Sequence, residues 1–141
     1  MKTLRFALLV LPALLVATAA QAQQTKIVAT VPFDFVVGNH VYPAGEYSVK
    51  ALSQYAGIMR IEEAQQTEAA SVLSIACTSL TPSTETKLVF RRMGDNKYAL
   101  YQTWIAGQNW GREFQNNRSE ARFAQNHEKP ELVIVAANIA R

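Results

Sequence analysis

Tyr98, Tyr101, Trp104 and Trp110 crowd into one short stretch of the chain, with Gln108, Asn109 and Arg112 around the last of them. Aromatic faces offer apolar contact to a sugar ring or a peptide, and amide or guanidinium donors fix its orientation. Trp110, Tyr101, Gln108, Asn109 and Arg112 are therefore the candidate binding residues. On a regular strand, Tyr98 and Trp104 share one face and Tyr101 takes the other. A competing reading makes Trp104 a core residue and Trp110 a cover over the open end of a sheet.

Other chemistries find less support. His40 and His127 are the only imidazoles, and neither has a His or Cys at ligand spacing, so no metal site is expected. Asp34 falls on the polar side of an alternating segment, and Glu113 follows Gly111-Arg112, with Arg112 or Arg91 as a natural partner. A glycosidase needs two carboxyl groups about 5–9.5 Å apart, and no spacing here joins these two. There is no G-x-S-x-G elbow for a serine hydrolase. Cys77 is the only cysteine, so no internal disulfide forms. Alternation puts it beside Leu73 and Ile75, which reads as a buried, inert thiol. No catalytic residue or cofactor is expected.

The elements that must position these residues are strands. From Lys26 to Val37 every odd position is apolar (Ile27, Ala29, Val31, Phe33, Phe35, Val37), a period-two pattern with one buried face. Pro32 donates no ladder hydrogen bond, which implies an edge strand or a bulge. Gly38-Asn39-His40 and Pro43-Ala44-Gly45 supply turn chemistry. Alternation resumes over 46–52, with Tyr47, Val49 and Ala51 inward, and two short strands follow at 58–63 and 71–77. Residues 78–86 read as a Ser/Thr-rich loop. Segments 87–93 and 97–105 flank Gly94-Asp95-Asn96 as a hairpin, and the pattern stops between Gly107 and Gly111. Asn117 and Glu120 stand in capping-box relation for a short helix. The last strand, 131–137, is apolar on both sides, which suits the middle of a sheet or the underside of the helix.

The expected fold is mostly β: a single-domain antiparallel β-sandwich or a small, partly closed β-barrel with one short helix near the C-terminus. In a barrel, Phe35, Val49, Phe90 and Leu100 either line a cavity for an apolar ligand or fill the core.

Lys2 and Arg5, an apolar run from Phe6 to Val16, and a small-residue tail ending at Ala20-Gln21-Ala22 have the layout of a secretory signal peptide. Residues 1–22 are thus expected to be removed, leaving 23–141 as one β-rich domain that is periplasmic or extracellular. The run is short for a spanning helix, and no later segment is long and apolar enough for one. Loss of Lys2 and Arg5 takes the formal net charge from +3 to +1. Arg91-Arg92 is the only adjacent basic pair, and strand neighbours point to opposite faces, so nucleic acid is not an expected partner.

The stretches 31–39 (VPFDFVVGN), 43–49 (PAGEYSV), 88–92 (LVFRR) and 111–113 (GRE) resemble a group of small secreted proteins, mostly predicted from soil-bacterial genomes and without an assigned activity. The resemblance implies a shared strand-and-turn framework and carries over no site residues. Its most specific part is Phe33-Asp34-Phe35 through Gly38, then Pro43-Ala44-Gly45 to Tyr47. The chain is accordingly expected to be an exported, non-catalytic β-domain with a binding or structural role at the cell envelope. A carrier of a small apolar or sugar ligand is one alternative and an envelope hydrolase another. Carbohydrate, peptide and small apolar molecules are the partner classes considered.

Overall fold

The computed structural model describes residues 24–53, 57–65, 69–94, 96–115 and 129–140. The expected leader (1–22), the helix beginning near Asn117, and His127 lie outside the described residues. Within them every regular element is a strand: β1 (Lys26–Val31), β2 (Phe35–Val37), β3 (His40–Tyr42), β4 (Gly45–Ala51), β5 (Ile58–Glu63), β6 (Ala69–Thr78), β7 (Lys87–Arg92), β8 (Tyr98–Trp104), β9 (Trp110–Phe114), β10 (Glu131–Ala136) and β11 (Asn138–Ala140). They form one open, mostly antiparallel sheet in the order β10-β7-β8-β9-β6-β5-β4-β1-β11. The β2–β3 hairpin attaches to β8 through a parallel β2–β8 pairing.

Alternation accounts for the first strands. Ile27, Ala29, Val31, Phe35 and Val37 are all buried, with Phe33 packed against them. β4 pairs with all of β1, whereas the β11 register covers only Lys26–Val28 and stops short of Pro32. The strand ends at Pro32, which has no N–H for a ladder, and the chain resumes as β2. Asp34 does more than face water: its Oδ1 accepts from the Ala44 amide at 2.9 Å and ties the Pro43-Ala44-Gly45 turn to this break. Gly38, at φ +60°, opens the two-residue turn between β2 and β3.

The hairpin expected around residues 94–96 is present as β7 and β8, with Gly94 and Asn96 at positive φ. Its register shifts between Val89 and Phe90, which pair with Gln102 and Leu100, so Tyr101 is the extra residue of a bulge. One inserted residue reverses side-chain parity. Tyr98 and Leu100 therefore pack inward before it, and Thr103 and Ile105 after it. Tyr98 and Trp104 consequently fall on opposite faces, contrary to simple alternation.

Two further expectations change. Cys77 is not in the core: the face it shares with Leu73 and Ile75 is the outer one, and both neighbours are exposed. The inward residues of β6 are Val72 and Ser74. Next, β10 lies at one end of the strand order rather than in the middle, with Leu132 and Ile134 outward and exposed. Of the two roles open to Phe35, Phe90 and Leu100, the structure has core filling: they are at most 2% exposed and sit in a packed core.

That core is aromatic where β1, β4, β7 and β8 meet the β2–β3 hairpin. Phe33 stacks on Tyr98 with centroids 3.9 Å apart, and meets Phe90 edge-on at 5.1 Å. Phe35 contacts Tyr42, Tyr47 and Phe90 at 5.0–5.3 Å. The Tyr47 hydroxyl donates to the Pro43 carbonyl at 2.6 Å, so its polar end is satisfied.

Candidate binding cleft

At the other end of the interior the side chains do not meet, and a cleft of about 600 Å3 opens. That size falls within the range of small-molecule sites, about 300–1,000 Å3. Strand parity builds its walls. Ile27 of β1, Val49 and Ala51 of β4, and Met59 of β5 contribute an apolar side, while Thr103 and Ile105 project from the continuation of β8 beyond the bulge. Trp110 and Arg112 stand two residues apart on β9, on the side that carries Phe114 into the core. Gln108 reaches the cleft from the preceding turn.

That turn is held from outside. Gln108 N–H donates to the Ile105 carbonyl at 3.1 Å, and Gly107 takes the positive φ of +80° that closes it. The Ser/Thr-rich loop then clamps it. Ser83 N–H donates to the Gln108 carbonyl, Ser79 N–H to the Asn109 carbonyl, and Gly107 N–H to the Ser83 carbonyl, each at 2.8 Å. These four backbone bonds fix where Gln108 and Trp110 stand. Gly111 completes the placement: a Cβ there would lie 2.5 Å from the Thr103 carbonyl oxygen and 3.0 Å from the Trp104 ring. Its absence lets the Trp104 indole close over β9 on the outer face.

Three of the five candidate residues, Trp110, Gln108 and Arg112, thus line one cleft, and two do not. Asn109 is exposed, and its backbone carbonyl serves the loop clamp. Tyr101 lies on the outer face, with the Arg91 guanidinium 3.5 Å above its ring centroid. Burial pushes its phenol pKa up, although Arg91 pulls the other way. Glu113 joins this outer group by accepting from Gln102 Nε2 at 3.0 Å, and Trp104 Nε1 donates to Gln102 Oε1 at 3.1 Å. Glu113 is therefore committed to Gln102 on the side away from the cleft. Burial likewise raises the Cys77 thiol pKa, with Glu113 adding to it, so a nucleophilic thiolate is disfavoured.

Trp110 is 44% exposed, which no core tryptophan would be. Arg112 is the only ionisable side chain lining the cleft among the described residues. Asp34 is committed to the Ala44 turn, and Glu62 to Lys50 and Arg60 on the outer ladder, at 3.1 and 2.6 Å. No three His, Cys, Asp or Glu side chains converge anywhere among the described residues. The cleft walls missed by sequence reasoning include Gln24, Thr25, Ile27, Ala51, Met59, Thr103 and Ile105. The inward phases of β1 and β4 hinted at Ile27 and Ala51, and parity along β8 hid Thr103 and Ile105. Comparison of the chain with protein-family models, with curated proteins and with solved structures gives no match.

Proposed function

We propose that this chain is an exported, non-catalytic β-domain that binds a small, largely apolar ligand in the cleft beside Trp110. The observation that carries this reading is the cleft itself: apolar wall residues continuous with the core, with one half-exposed indole at the mouth. A binding site of this kind combines apolar enclosure with a few polar groups that orient the ligand. The leader-like residues 1–22 support export, and the likeness to small secreted proteins agrees with it.

The strand order also supports a partly closed barrel. β10 and β11 stand at the two ends of the path, yet only Ala137 separates them in sequence. Ala137 N–H donates to the Thr86 carbonyl, and Thr86 Oγ1 accepts from Ala106 N–H, which draws this junction toward the end of β8. A sheet curled this way encloses one interior, filled at one end and open at the other.

Native mass spectrometry of the protein purified from the periplasm or medium tests the reading. A mass beginning at residue 23 with a small bound molecule that organic solvent releases is the expected result. A leader still attached would overturn export. Failure of Trp110→Ala to weaken ligand retention would overturn the cleft as the site.

A further inference from the structure

Resting on the cleft reading above, we infer that the ligand is an amphipathic monoanion, an alkyl carboxylate whose chain lies along Ile27, Val49 and Met59 and whose head meets Arg112. The cleft divides by chemistry. Its β1–β4–β5 side presents Ile27, Val49, Ala51 and Met59, which carry no hydrogen-bonding side chain, while Gln24 and Thr25, just ahead of β1, add polar groups beside them. Its β8–β9 side presents Thr103, Gln108, Trp110 and Arg112. A ligand complementary to both sides has an apolar length and one polar end.

The sign of that end follows from Arg112. Among the described lining residues Arg112 is the one ionisable group, and its guanidinium stays charged at physiological pH. Partly buried between Thr103 and Ala76 in the β8–β9–β6 register, that charge sits where the effective dielectric is lower than in water. Arg112 also engages other groups of the chain, but five N–H donors in a planar fork leave room for a carboxylate, often held bidentately. A cationic head would be repelled, and a neutral hydroxyl could accept one bond from the guanidinium but would forgo the ion pair and the second, parallel bond.

Gln108 adds an independent observation. It lines the cleft, and its Oε1 is buried and meets no hydrogen-bond partner among the described residues. A buried amide oxygen left unpaired is costly, so this side chain gains by turning its amide toward a ligand head. The two amide ends are interchangeable by a flip about the last side-chain torsion, so Gln108 can donate to a carboxylate from this position. Thr103, 3% exposed, puts a hydroxyl on the same side.

The test is calorimetric titration of the delipidated mature protein with decanoate, decanol and decylammonium, kept below their aggregation concentrations. Decanoate is expected to bind at least about tenfold tighter than decanol, in line with a charge-assisted hydrogen bond, and decylammonium weakest. Arg112→Gln should remove most of that advantage, weakening decanoate far more than decanol, and Arg112→Lys should keep part of it. Equal binding of decanoate and decanol in the unaltered protein, or preference for decylammonium, would overturn the anionic head and leave the cleft reading standing. Binding of none of the three would overturn the cleft reading itself. If Arg112→Gln fails to fold, the ionic-strength dependence of decanoate binding decides: weakening with salt supports the ion pair, and a flat response refutes it.

Discussion

The two ends of the interior share β1, β4 and β8 and differ in what fills them. At the β2–β3 end, Phe33, Phe35, Tyr42, Tyr47, Phe90 and Tyr98 interlock through stacked and edge-to-face contacts. At the Trp110 end, smaller or unbranched side chains (Val49, Ala51, Met59, Thr103) leave a cleft. The difference is one of volume. Six aromatic rings close the first end, whereas the second receives a single indole that stays half in solvent. Stability is thereby concentrated at one end, and the other is free to be a site, because a cleft forgoes the packing contacts a filled core makes.

This contrast can be broken most forcefully at Phe90, which is fully buried among the rings. Phe90→Ala should cost about 3–5 kcal/mol in denaturant unfolding, a large share of a small domain's stability. A loss no greater than that of Trp110→Ala would erase the distinction between the ends. Gly57 comes next. At φ +64°, a Cβ would lie 2.3 Å from the Ser74 carbonyl oxygen, and Ser74 donates to the Gly57 carbonyl from both N–H and Oγ at 2.8 Å. Gly57→Ala is expected to cost about 1–3 kcal/mol and, by shifting the β5–β6 pairing beside Arg112, to weaken ligand binding as well. Thermal unfolding and titration of the same variant check both effects.

Trp110→Ala should behave in the opposite sense: under about 1 kcal/mol in stability, but a loss of roughly tenfold or more in affinity for an apolar probe. A large stability loss would mark Trp110 as a structural cover instead. The smallest effect is acid sensitivity outside both ends. Glu62 has its carboxyl pKa held below the usual value chiefly by its hydrogen bond to Lys50, with Arg60 adding charge and burial opposing. Its contribution is present above the ordinary carboxylate range and disappears as pH falls through the depressed value. Glu62→Gln should therefore flatten the acid limb of stability by about 0.5 kcal/mol, the scale of a partly solvated ion pair. Decanol binding should be insensitive to the same substitution, because Glu62 faces away from the cleft.

Much of this was readable residue by residue. The six odd apolar positions of 27–37, the turn glycine Gly38 and the 94–96 hairpin follow from local rules, and the structure has all three. Trp110, Gln108 and Arg112 were recognisable as a group because they are close in sequence. Tyr98 and Trp104 were placed on one face because the bulge lies in the pairing of β7 with β8, and nothing in residues 98–104 alone announces an unpaired position. Leu73 and Ile75 were misread for a related reason. Alternation tells which residues share a face, and only the neighbouring layer tells which face is inside.

Side-chain parity and turn chemistry act over two to four residues, so the order of residues by itself made this chain a set of extended segments with identifiable greasy faces. Which segments became neighbours was decided only in three dimensions. The cleft gathers Ile27, Val49, Met59, Thr103 and Arg112 from across the described chain. Their meeting depends on register, on a bulge and on two glycines, Gly57 and Gly111, whose missing side chains let backbones and a ring approach. These are long-range constraints, set by how whole strands pair and pack rather than by any one stretch of residues.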